Sequence, residues 1–143
     1  MMNERWYEDV ESRILTLVRY RMRRALEGKV SKTIKFTTDG ESDAAPYFPT
    51  CYVHGLQPAE TGGDLDGRTI NAIIETIEVQ AYSRDRQECA LIMNEAVYQM
   101  KQLRFEATAM ANVTTTNNVS QGVARFRRVI GAGDTDIVGE ETN

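Results

Sequence analysis

Apolar side chains recur along the chain with two different periods, and the switches between them divide it into elements. Over residues 3–27, Tyr7, Val10, Ile14, Leu17, Val18 and Leu26 fall near helical spacing and predict a long amphipathic helix. Gly28 follows at a position where helices stop. The stretch "RYRMRR", Arg19 to Arg24, occupies its last turns, where cations complement the helix dipole. A second helix is predicted by "RDRQECALIMNEAVYQMKQL", in which Cys89, Ile92, Met93, Ala96, Val97, Met100 and Leu103 form one stripe. Ser83 is the expected cap, with Asp85 in the first turn and Lys101 in the last.

Elsewhere the period shortens to two. "SKTIKFTT" (31–38), "PTCYVHGL" (49–56), "NAIIETIEVQAY" (71–82), "FEATAMANVTTT" (105–116) and "GVARFRRVI" (122–130) read as strands, the last two as a hairpin joined by an Asn/Ser/Gln-rich turn. In 71–82, Ile73, Ile77, Val79 and Ala81 share a face that Glu75 interrupts. The order helix, strands, helix, strands predicts an α+β fold: an antiparallel or mixed sheet of four to five strands packed against a long N-terminal helix and a central helix. Residues 1–137 are expected to form one domain, and 138–143 a flexible acidic C-terminal tail. Three segments read as mobile: 38–48, 57–69 and 131–143.

Composition narrows the function classes. The 143 residues suffice for one domain with a real core. The net charge of −4 argues against a free-standing nucleic-acid binder, which carries a basic balance or a strong basic face. No apolar run is long enough to span a bilayer, and the charged start "MMNERWYEDVESR" lacks the apolar stretch of a secretion signal, so synthesis and assembly in a cytoplasm are expected.

Candidate chemistry is sparse. With Cys51, Cys89 and His54 as the only cysteines and histidine, a zinc site of usual composition is not expected. Cys89 reads as a small buried thiol, and nothing suggests an oxidising compartment that would join it to Cys51. Cys51 and His54 stand three apart in a strand, hence on opposite faces, so they cannot act as a nucleophile and its base. His54 reads as a polar residue at a strand end. "TGGDLDG" has the glycines of a phosphate loop but leads into a strand, and Asp64 and Asp66 would repel phosphate; they also lack the spacing of a calcium loop. No enzyme, cofactor or metal is expected.

The arginines near the end remain. In "VARFRRVI", Val123, Arg125, Arg127 and Val129 point one way, and Ala124, Phe126, Arg128 and Ile130 the other. Arg125 and Arg127 form a two-residue basic stripe, either a solvated face pairing with Glu75 and Glu78 on a neighbouring strand or a subunit interface. No helix-turn-helix pattern or aromatic stacking platform accompanies them.

From about Tyr47 to Ile137 the chain resembles the tail terminator, or tail completion, proteins of long-tailed bacteriophages. The blocks that carry the resemblance, in order, are "YFPTCYVHGL", "GGDLDGRTINAIIETIEVQAYS", "ALIMNEAVYQMKQLRFEATAM" and "VARFRRVIGAGDTD". The N-terminal helix and the 38–48 loop match only in kind. The resemblance implies a homo-hexameric ring at the head-proximal end of the tail, in the virion, assembled in the host cytoplasm. Its implied partners are itself, the tail tube protein and the head–tail connector or stopper, with DNA passing through the lumen without specific binding. The interface candidates are Arg125, Arg127 and Arg128, together with Asp64, Asp66 and Arg68 in a loop that can order on meeting the tube or connector. Strands 71–82 and 122–130 are expected to offer edges for head-to-tail contacts. The rival readings are another neck or head-completion protein, a tube subunit, a nucleic-acid-binding module using "RYRMRR" and "FRR", and a small enzyme.

Overall fold

A computed structural model describes residues 5–37, 47–62, 69–134 and 137. After a short 3-10 turn at Trp6–Asp9, helix α1 runs Val10–Leu26. Strands β1 (Lys35–Thr37), β2 (Thr50–Thr61) and β3 (Ala72–Ser83) follow, then helix α2 (Arg86–Gln102) and strands β4 (Glu106–Thr116) and β5 (Val119–Gly131). The five strands form one mixed sheet in the order β1-β2-β3-β5-β4. Only β1 and β2 are parallel; every other pairing is antiparallel. The α+β class, the five strands and the two helices agree with the sequence pattern.

Both helices bury their apolar stripes on one side of the sheet. Val10, Ile14, Leu15, Val18, Met22 and Leu26 of α1 and Cys89, Ile92, Met93, Ala96 and Met100 of α2 join one core with Val53, Ile77, Val79, Ala124, Phe126 and Ile130 from the strands. Trp6 is buried too, and its indole N–H donates to the Ile70 carbonyl at 2.9 Å, tying the start of α1 to the approach of β3. α1 stops as expected: Gly28 takes φ +77°, the left-handed conformation that ends a helix at little cost for glycine. Gly122 serves a different need. A Cβ there would stand 2.3 Å from Met93 Cγ, so glycine lets the Met93 side chain of α2 lie directly on β5.

Several boundaries differ from the pattern reading. The cap of α2 is Asp85, whose carboxylate accepts from the Gln87 N–H at 2.9 Å; the Ser83 hydroxyl accepts instead from the Asp85 N–H at 3.0 Å. β1 keeps only three residues of the predicted 31–38. β2 continues through Thr61, so 57–61 is strand rather than loop, and His54 lies mid-strand rather than at an end. Pro58 masked this extension. It sits at an irregularity between Leu56 and Ala59, on a stretch of β2 beyond the reach of β1, where a missing N–H is tolerated. The β4–β5 turn shrinks to Asn117 and Asn118, both at positive φ, which is the chemistry of a two-residue hairpin.

Strand order overturns one expectation outright. β3 and β5 are paired on both sides, so 71–82 and 122–130 have no free edge. Among the described residues, the open edges belong to β1 and β4, and to the part of β2 beyond its pairing with β1. The segment after β5 is also less loose than its composition suggests: Gly131 ends β5, Asp134 is held by Arg128, and Ile137 is buried.

Candidate interaction face

No described helix covers the second side of the sheet. Its centre is polar and tightly bonded. Three side chains stand in line across the central strands, because His54 of β2 is in register with Glu78 of β3, and Glu78 with Arg125 of β5. His54 Nε2 lies 2.8 Å from one Glu78 oxygen, and Gln80 Nε2 donates to the same oxygen at 2.7 Å. Arg125 Nε donates to the other at 2.7 Å. The network runs on through Tyr82, whose hydroxyl donates to the Gln80 side-chain Oε1 at 2.6 Å and accepts from Gln121 Nε2 at 3.0 Å. Tyr52 stacks on the His54 ring, centroids 4.2 Å apart.

Glu78 is the hub. Its side chain is only 8% exposed although it points away from the helices. Burial pushes its carboxyl up, but the hydrogen bonds from His54, Gln80 and Arg125 and the Arg125 charge outweigh that and hold it at about 2. A carboxylate so fully accepted is a structural anion and has no proton to give in general acid catalysis. Arg125 uses only Nε on Glu78 and is 54% exposed, so its terminal amino groups face solvent from a fixed position. Arg127, two residues on, is exposed and has no hydrogen-bond or ion-pair partner among the described residues. Exposed Val129 extends the same row.

The alternation read from the sequence holds for these three arginines. Arg125 and Arg127 point outward; Arg128 points in, is 8% exposed, and bonds Asp134 and, at 2.9 Å, the Leu103 carbonyl. Its job is to fix the end of β5 to the turn after α2, so it is no part of the outward face. Of the two glutamates matched to the arginines, Glu78 pairs with Arg125, while Glu75 faces the helices and is buried. Asp64, Asp66 and Arg68 lie outside the described residues.

The thiols offer no reactive group. Cys51 and Cys89 are free and buried, and burial pushes them up to about 12 and about 11. Among the described residues, no group of three or more His, Cys, Asp and Glu is placed to hold a metal ion, and no helix is long and apolar enough to cross a membrane.

Two features, one on each side of the sheet, escaped pattern reading. Glu75 interrupts an apolar face visibly, yet nothing local says that it stays there with one oxygen unpartnered among the described residues. His54 and Glu78 sit 24 residues apart, and only strand register joins them. The fold thus defines an α+β domain with one helix-covered sheet face and one face that carries a polar side-chain network. No family model matches the chain, and no curated protein matches it significantly.

Proposed function

We propose that this protein is a structural virion subunit of a long-tailed bacteriophage, forming a hexameric ring that terminates the tail tube and joins the tail to the head connector. The reading rests on the order of the sequence blocks that resemble tail terminators. The observation that supports it best is the outward sheet face. There a buried carboxylate spends its hydrogen bonds on orienting His54, Gln80 and Arg125. The result is a broad, rigid surface that presents guanidinium donors, and arginine is the cation favoured at interfaces because its planar head bonds several acceptors at once. The open edges of β2 and β4 add main-chain donors and acceptors suited to head-to-tail contacts, which close into rings.

The test is assembly. On a sizing column with light scattering, and in negative-stain images with purified tail tubes, the protein should form closed rings of about six subunits or one ring at a tube end. The double variant Arg125→Glu/Arg127→Glu should stay folded and fail to form or seat the ring. Unchanged assembly of that variant sinks the interface assignment. Long tubes from the pure protein would make it a tube subunit, and tight DNA binding at low salt that fades with added salt would make it a nucleic-acid module.

A further inference from the structure

The strongest charge asymmetry of the chain lies away from the face described above. Residues 19–35 carry seven basic side chains and one acidic, a net of +6 in a chain of net −4. The end of α1 and the segment after it shape this stretch around a cavity of about 500 Å³. Its apolar floor includes Leu26, Val30 and Ile34. Its lining carries three cations, Arg23, Arg24 and Lys32, against one carboxylate, Glu27.

Each rim cation rests on an aromatic ring. Arg23 lies 5.1 Å above Phe36, Arg24 5.8 Å above Tyr20, and Lys32 5.9 Å above Tyr47. Arg24 also donates to the Tyr20 hydroxyl at 3.1 Å, and the Tyr47 hydroxyl donates to the Thr33 carbonyl at 2.7 Å, so two of the rings are themselves held. The rings orient the cations without neutralising them. None of the three is ion-paired among the described residues, although the chain outside 19–35 has ten more acidic than basic side chains. Tyr20 remains exposed at the rim.

We infer that this cavity is a docking site for an acidic segment of a partner protein, its carboxylates on Arg23, Arg24 and Lys32 and an apolar side chain seated on Leu26, Val30 and Ile34. The choice of partner follows from the two chemistries found together. Unpaired cations select a polyanion, but a phosphodiester backbone has nothing to place on an apolar floor. A peptide alternating acidic and apolar residues satisfies both. The inference is independent of the ring reading, because it uses neither the outward sheet face nor the strand edges.

Fluorescence polarisation on the full chain tests it with three labelled probes of equal charge: a peptide alternating glutamate and leucine, a polyglutamate, and a single-stranded thymidine oligomer. The glutamate–leucine peptide should bind about tenfold or more tighter than polyglutamate, the worth of one buried leucine-sized side chain. Arg23→Glu/Arg24→Glu should lose that binding, and so should Lys32→Glu, which alters a separate segment; circular dichroism checks that each variant folds. Equal binding of polyglutamate, tighter binding of the oligomer, or no binding of any probe each overturns the inference. So does a change in the protein's own mass by light scattering without peptide binding, which would assign the cavity to a second copy.

Discussion

Glu75 and Arg128 stand directly opposite each other on β3 and β5, on the helix-covered side of the sheet, yet Glu75 Oε2 has no hydrogen-bond partner among the described residues. Arg128 instead bonds Asp134 and the Leu103 carbonyl. Glu11 of α1, whose carboxylate lies over Gly55, is a liability because its charge acts on Glu75. Burial first, and the Glu11 charge second, raise the Glu75 carboxyl from 4.5 to about 7.

That shift makes stability depend on pH in a definite direction. Between pH 4.5 and 7 the native protein keeps a proton on Glu75 that the unfolded chain has released. Stability from this group is therefore complete below 4.5, falls as pH rises, and is lost above about 7, by about 3 kcal/mol at most. Urea unfolding at pH 5 and pH 8 should show the fall in the wild type and a much smaller one in Glu75→Gln. A variant whose pH slope matches the wild type would show that Glu75 is ionised and solvated in the folded protein.

The neighbouring arginines should separate cleanly in a stability assay. Arg128→Ala takes the short-range guanidinium from the buried Asp134 carboxylate and leaves the exposed Arg104 at 3.9 Å, and breaking a buried pair on one side costs up to about 3–5 kcal/mol. The backbone around Ile137, whose N–H donates to Asp134 at 3.1 Å, should lose hydrogen-exchange protection with it. Arg127→Ala removes an exposed side chain without a partner among the described residues and should stay within about 0.5 kcal/mol of the wild type. Similar losses in both variants would contradict the opposite facings of the two residues.

The same three arginines mark how far the sequence alone reaches. Alternation is a local property, so it separated Arg125 and Arg127 from Arg128 correctly. Helical period is local too, and the stripe from Cys89 to Leu103 is the buried face of α2. What failed was non-local. That β3 and β5 are central rather than edge strands depends on strand order, which no single strand encodes. The His54–Glu78–Arg125 line depends on the register of three strands drawn from distant parts of the chain. Residues 57–61 of β2 carry loop-like composition, and their pairing with β3 outweighs it.

Gly122 tests how tightly α2 is seated. In Gly122→Ala the new methyl would stand 2.3 Å from Met93 Cγ and 3.0 Å from its sulfur. Methionine is flexible, so the helix need not move far, and a loss of about 1–3 kcal/mol is expected. Pairing the change with Met93→Ala relieves the clash. The double variant should be less destabilised than the two single losses added together, and strict additivity would place the strain elsewhere.

The acid limb of the stability curve belongs to Glu78. Its folded carboxyl is held at about 2, well below the 4.5 of the unfolded chain, so the native state stays ionised while the unfolded state takes up a proton. Stability from this group is present above pH 4.5 and is lost as pH falls toward 2. Arg125 is half exposed, and solvent weakens its share, so a contribution of about 1–2 kcal/mol is expected rather than the full value of the shift. Glu78→Gln should be less stable than the wild type by about that amount at pH 7 and should converge with it near pH 2. Because the same substitution frees Arg125 and His54 from their common acceptor, on the proposed ring reading it should also impair assembly at pH 7 while the monomer remains folded. Loss of stability with assembly intact would separate the network from the interface and leave Arg127 as the residue to test next.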